Sequence, residues 1–155
     1  AVPRDMIPGH GPVVFDLGFG PFGSVISFEG SFSRYARDAA RSGAVLLVVA
    51  TNQGSYPLSD ASDQLIAMTR MRAAELGVDV VHAAVTGRST LITEGGVTGR
   101  RTPLAEEDVV IGTVRMREAG STLYTLLGDW VQLSAVAGLA VVVGASVRRR
   151  SGQVA

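Results

Sequence analysis

The stretch GSVISFEGSF, residues 23–32, puts a hydroxyl, Ser27, at the end of an apolar run and an acid, Glu29, two positions later. A glycine and a helix start follow. A strand that ends this way offers a small nucleophile at its tip. A serine hydroxyl has no accessible anion at neutral pH, so it needs a base and a group that orients the base. The chain has no lysine and no cysteine, and its basic residues are all arginine. Within these residues that excludes disulfides, thiolate metal sites, a cysteine nucleophile and a lysine base. The two histidines are His10 and His82, and no spacing ties either to Ser27. Ser27 therefore reads as a nucleophile, a substitute for one, or an ordinary buried serine. Glu29 reads equally as electrostatic support for such a site or as an acid that favours the dipole of the following helix.

Other polar residues give weaker signals. Arg72 and Glu75 lie three apart on a helical pattern and read as a structural ion pair. Asn52 follows an apolar run and suits loop hydrogen bonding. His82 is most simply a strand residue. Arg100 and Arg101 read as a solvated charge pair in a hairpin, with lipid headgroups as a second reading. The segment GFGPFG lacks the lysine and spacing of a phosphate loop. No acidic or histidine cluster has metal-ligand spacing, so neither metal nor cofactor is expected. A formal net charge of +0 and no basic stripe with interleaved aromatics argue against nucleic acid. Nothing in the sequence sets an oligomeric state.

The 155 residues suffice for one domain with a core. They are 46% hydrophobic and only 18% charged, apolar enough that part of the chain is expected to meet lipid. Residues 1–12 carry three prolines and two glycines and read as an irregular opening loop. Strands are predicted at 13–17 and 24–28, joined by a tight turn over 18–23. A helix is predicted over 32–42 with Gly43 as its stop, and a buried strand over 44–50. The clearest helix covers 61–76. Leu65, Met68, Arg72 and Leu76 share one face, and Gly77 ends it. Further strands are predicted at 79–85, 89–93, 97–102 and 109–115. Strand and helix alternate and a run of strands follows, so the expected fold is an α/β domain with a mixed sheet. The start at Ala1 and the lack of a signal peptide read as a fragment or a processed product.

Residues 131–147 carry no charge. As a helix they would span roughly 25 Å, against about 30 Å of hydrocarbon, and the flank from Leu123 would lengthen them. Tyr124 and Trp130 suit an interfacial belt. Arg148, Arg149 and Arg150 form a basic stop, which puts that end in the cytoplasm and the α/β domain outside.

Several stretches together resemble one family, the apolipoprotein N-acyltransferases, whose catalytic domain belongs to the nitrilase (carbon–nitrogen hydrolase) superfamily. PRDMIPGHGP (3–12) is similar to the loop leading into the second half of that domain. GSVISFEGSFSRYARDAARSGAVLLVVATNQG is similar to the nucleophile strand, its helix and the next strand with its asparagine. QLIAMTRMRAAELGVDVVHAAVTGRSTLITEGG resembles the helix with arginines and glutamate and the paired strands after it. TLYTLLGDW (122–130) resembles the approach to the last membrane helix. The resemblance implies a partial nitrilase-type α-β-β-α sandwich over 1–122, a transmembrane helix with a basic stop over 123–150, and a tail over 151–155. It implies acyl transfer from a phospholipid to the amino terminus of a lipoprotein at the bacterial plasma membrane. The family uses a glutamate base, a lysine and a cysteine; the first two lie upstream of these residues. The cysteine belongs to a C-[YF]-E pattern, which here reads Ser27-Phe28-Glu29, so Ser27 occupies the nucleophile position and Glu29 the supporting acid. Asn52 corresponds to the substrate-side asparagine. Gln53-Gly54-Ser55 and Val85 depart from the family's pattern. The expectation is a site not active alone. The alternative is a non-catalytic, membrane-anchored partner module of the same fold. A soluble amidase is disfavoured by the apolar C-terminal helix and the missing cysteine.

Overall fold

The computed structural model describes residues 9–56, 58–117 and 122–151, so most of the expected opening loop lies outside the described residues. Five strands form one sheet in chain order: β1 (Val13–Asp16), β2 (Pro21–Ile26), β3 (Leu46–Thr51), β4 (Val80–Ala84) and β5 (Thr90–Ile92). β2, β3 and β4 run parallel, and the edge strands β1 and β5 are antiparallel to their neighbours. The mixed α/β sheet expected from the sequence is therefore present. Helix α1 (Ser33–Arg41) connects β2 to β3, and α2 (Ala61–Leu76) connects β3 to β4.

Both helices cover the same face. Alternation along the strands puts Gly23, Val25, Leu47, Val49, Val80 and Ile92 on that face, and all but the glycine join Ala36, Ala39, Ile66 and Leu76 in the core. Gly23 allows the closest approach: a Cβ there would stand 2.7 Å from the Ala39 Cβ. The opposite face carries Val13, Phe15, Phe22, Ile26, Val48, Ala50, Val81 and Ala83. Val13, Phe15 and Ile26 are 53%, 44% and 67% exposed. One helix layer on one sheet makes two of the four layers of a nitrilase-type sandwich.

Several boundaries differ from the sequence reading. The hairpin turn is shorter, because Pro21, Phe22 and Gly23 already pair with β1; Asp16 closes the turn by accepting from the Gly18 N–H at 2.9 Å. β2 ends at Ile26, and residues Ser27–Ser31 form a single 3-10 turn rather than more strand. The strand expected at 97–102 is reduced to one bridge, Thr98 to Ile92. Gly99 N donates to Leu91 O, but Thr102 N donates to Ser89 O, which is a one-residue slip that breaks the ladder. The strand expected at 109–115 is irregular chain. Its neighbourhood is held by the buried Asp79 carboxylate, which accepts from Arg115 N at 2.8 Å and Glu94 N at 2.9 Å, and by Arg117 N donating to Val45 O.

The C-terminal region is two helices, α3 (Leu123–Leu127) and α4 (Trp130–Ser151), not one from Leu123. Gly128 breaks them with φ 62 and ψ −133, a conformation that glycine tolerates. Thr122 caps α3 at its start, accepting from Thr125 N at 3.0 Å. Arg37 of α1 donates to the carbonyls of Thr125 and Leu126 at its end. α4 then leaves the domain, and residues 131–146 are all exposed. Among the described residues no helix is long and apolar enough to cross a membrane, so the expected transmembrane helix is not shown. The side chains described in α4 up to Ser146 cover only about 25 Å of axis.

Candidate active-site cleft

The three parallel strands end on the same side, and the segments after β2 and β3 build a cleft there with α2. This is where open α/β sheets hold ligands. The cleft has a volume of about 350 Å³. Ser27, Phe28 and Ser31 line it from the turn after β2. Asn52, Gln53 and Tyr56 line it from the loop after β3, and Ala61, Gln64, Leu65 and Met68 from α2.

Ser27 sits in a left-handed backbone conformation, φ 51. For a residue with a Cβ this costs ~1–2 kcal/mol, so the surroundings must hold it. Glu29 does so: its carboxylate accepts from the Ile26 N–H at 2.8 Å, and its carbonyl accepts from Phe32 N at 3.0 Å. Arg72, 6% exposed on α2, adds a bond from its guanidinium to Ser31 O at 3.2 Å. The result is an elbow that turns the Ser27 side chain out of the strand and into the cleft wall. Glu29 braces the turn through its own side chain.

Among the described residues, neither Glu29 nor His82 is hydrogen-bonded to Ser27. The Glu29 carboxylate is spent on the Ile26 amide. His82 points to α2, where Nδ1 lies 3.2 Å from Thr69 Oγ1, and it is 1% exposed. Burial pushes its imidazole down to about 4. Glu75 pairs with Arg72 at 2.8 Å, the structural ion pair expected. Burial raises the Glu75 carboxyl above its usual range; Arg72 opposes that shift and Asp129 adds to it. His10 is exposed in the opening segment.

Asn52 fixes the loop after β3. Its Oδ1 accepts from Thr86 Oγ1 at 2.6 Å and from Gly54 N at 3.0 Å. Gln53 N donates to Thr86 Oγ1 at 2.8 Å. The structure thus brings together Ser27 and Asn52 on one cleft, with Glu29 behind the first. Arg100 and Arg101 lie apart from it: Arg100 pairs with Asp108, and Arg101 with Asp63 at 2.6 Å. The sequence reading did not place Ser31, Gln64 or Met68 at the site. Met68 was expected on the buried face with Leu65, Arg72 and Leu76; it is 38% exposed and lines the cleft beside Gln64, four residues before it.

Residues 3–124 match the carbon-nitrogen hydrolase family. The chain belongs to it. Curated relatives named apolipoprotein N-acyltransferase include one from Geobacter metallireducens, 40% identical over 95% of this chain and 28% of its own length. Others come from Bdellovibrio bacteriovorus, 30% identical over 88% of this chain and 26% of its own, and from Thermotoga maritima, 30% identical over 94% and 29%. This carbon-nitrogen hydrolase chain thus spans under a third of the length of those relatives. A Saccharomyces cerevisiae member of branch 10 of the nitrilase superfamily shares the fold with a TM-score of 0.54, at 23% identity over 66% of this chain and 40% of that one. An amidase from Nesterenkonia sp. does so with a TM-score of 0.51, at 22% identity over 63% and 40%.

Proposed function

We propose that this carbon-nitrogen hydrolase chain carries the nucleophile-side half of an acyl-transfer site that moves an acyl chain from a phospholipid to the amino terminus of a lipoprotein. The observation behind this reading is the elbow. A strained small residue, Ser27, stands between β2 and a braced turn on the wall of a cleft, where the family resemblance places a cysteine. The activity for which the Geobacter, Bdellovibrio and Thermotoga relatives are named supports N-acylation of a lipoprotein. The apolar, exposed α4 supports a lipid setting, because a helix apolar all round needs a nonpolar partner. In this reading α4 enters the bacterial plasma membrane and the α/β domain lies on its extracytoplasmic side.

The 155 residues do not complete the reaction in this reading. A thiol ionises near pH 8.5, whereas a serine hydroxyl needs a base at hand. Among the described residues no acid or histidine is hydrogen-bonded to Ser27, and the chain has no lysine. The test uses the chain alone and a chimera in which residues 13–127 replace the matching segment of the Geobacter relative. Both are made with Ser27 and with Ser27→Cys, and are incubated with phospholipid vesicles. Intact-mass spectrometry then reads acyl adducts on residue 27. A thioester is expected only in the Ser27→Cys chimera. A chimera that folds by circular dichroism yet never takes an acyl chain selects the non-catalytic, membrane-anchored module instead. A stable acyl-serine on the unmodified chain would make Ser27 a working nucleophile.

A further inference from the structure

A ridge of aromatic side chains stands exposed where β2 gives way to α1. Phe28, Phe32 and Tyr35 are 63%, 42% and 37% exposed. Their rings meet edge to face, Phe28 and Phe32 with centroids 5.3 Å apart and Phe32 and Tyr35 at 6.1 Å. Phe28 also lines the cleft, so the ridge begins at the cleft's rim. Arg34 lies across its other end. Its guanidinium stands 4.6 Å from the Tyr35 ring centroid and 5.3 Å from that of Phe32, and it donates to the Tyr35 hydroxyl at 2.9 Å. Among the described residues Arg34 makes no ion pair, although Asp38 stands one turn further along α1. Glu29, the acid of the preceding turn, is bonded to the Ile26 N–H.

Exposed rings beside a cation without a carboxylate suit a surface that is apolar beneath and anionic on top. The headgroup layer of a bilayer is such a surface: aromatic rings settle there, and basic side chains meet lipid phosphates. The place of the ridge in the fold favours lipid over a protein partner. Ser33, between Phe32 and Arg34, hydrogen-bonds the Tyr124 hydroxyl of α3. Arg37, one turn beyond Arg34 on the same side of α1, holds the carbonyls that end α3. Trp130, 40% exposed, follows, and then the uncharged run of α4. The ridge is thus tied to the root of the apolar helix.

We propose that the ridge of Phe28, Phe32 and Tyr35, with Arg34, rests in the headgroup layer of a phospholipid bilayer, the rings toward the acyl chains and the guanidinium on a lipid phosphate. This rests on the reading of α4 as a membrane helix. A guanidinium can donate to two phosphate oxygens at once, and the two rings beneath Arg34 hold its plane for that contact. The ridge gives the α/β domain a second foothold besides α4. It also sets the Phe28 rim of the cleft at the lipid surface.

The chain has no cysteine, so one introduced cysteine takes one spin label. Three forms of the 155-residue chain are labelled: Tyr35→Cys on the ridge, Leu139→Cys on α4, and Glu106→Cys in the exposed segment outside β5. Each is reconstituted into phosphatidylcholine vesicles with and without phosphatidylglycerol. Power saturation compares collisions with oxygen, which concentrates in lipid, and with a water-soluble nickel chelate. The label at position 35 should favour oxygen, more so with phosphatidylglycerol, and the label at 106 should favour nickel. Adding Arg34→Gln should remove that gain, roughly fivefold in the ratio of lipid-bound to free ridge, the worth of one basic side chain at an anionic surface. If Tyr35→Cys does not fold, Phe32→Cys carries the ridge label instead. The label at 139 tests α4 separately. Lipid at 139 with water at 35 overturns the ridge and leaves the reading of α4 standing; lipid at 35 with water at 139 does the reverse. The proposal is also overturned by a label at 35 shielded from both probes, which would mean that protein covers the ridge. An unchanged response to phosphatidylglycerol in Arg34→Gln overturns it as well.

Discussion

The imidazole of His82 carries its proton on Nδ1, because the Thr69 hydroxyl spends its own hydrogen on Leu65 O at 2.8 Å and can only accept. That leaves Nε2 bare and buried. Protonating it would place a charge in the core beneath β4. The folded chain resists protonation down to about pH 4, while the unfolded chain takes the proton near 6.5. Between those values the unfolded state binds more protons, so stability falls as pH falls through that window and levels off above it. The expected loss is of order 3 kcal/mol. Glu75 works in the opposite direction, since its raised carboxyl favours the folded state in acid, so the measurement must be a difference. Urea midpoints of wild type and His82→Asn, compared from pH 7 to pH 4.5, should show a steeper acid loss in the wild type. Parallel profiles would remove His82 from the account. In the sequence this residue reads only as part of a strand, because its partner Thr69 comes from a helix that pattern alone cannot dock.

Among the elements, β2 and the turn after it decide where Ser27 stands. Gly23 lets α1 lie close on β2, and the Cβ atoms of Ala39 and Ala44 would meet a new side chain at 2.7 and 3.2 Å. Neither can rotate away, so α1 must lift. Gly23→Val is expected to cost ~1–3 kcal/mol by overpacking. Ser24→Ala, one residue along on the bare face, should change little. Denaturant midpoints compare the two, and equal shifts would mean that α1 does not constrain β2. Helix α2 was legible down to both ends, because Leu65, Arg72 and Leu76 recur on one face and Gly77 closes it at φ 67. β3 and β4 were legible as apolar runs bounded by polar loops. The elbow was legible in residue types but not in shape: a serine with φ 51 depends on Glu29 and Arg72 holding the turn, and Arg72 arrives from another element. The strand expected at 109–115 failed for a related reason. Its apolar residues look like a strand, but the backbone donors nearby go to the side chain of Asp79 and to Val45 O. The site's Gln53 stood out only as a departure from the family's pattern, and its packing against Gly87 needs the loop after β4 in place to be seen.

At the scale of the molecule, two apolar surfaces besides the α1 ridge stand out among the described residues: α4 beyond Gly128, and the β1–β2 edge of the sheet face that α1 and α2 do not cover. Val131, Leu133, Val136, Leu139 and Val141 on α4 are each 57–70% exposed. If lipid covers them, the expressed chain should fractionate with membranes and resist carbonate extraction, and truncation after Asp129 should release it. An untruncated 155-residue chain that stays monomeric in detergent-free buffer would argue against that cover. The sheet face has a different consequence, a colloidal one. The chain has 14 basic and 14 acidic residues and a pI near 7.0, so at neutral pH no long-range repulsion separates two copies. Phe15 stacks on Phe22, with ring centroids 5.2 Å apart, into a flat aromatic platform that water wets poorly. Two such platforms meeting in solution have nothing to hold them apart, and added salt has almost no charge to screen. The second virial coefficient of this chain should therefore be negative at pH 7 and turn positive as pH moves several units to either side, where like charge builds on every copy.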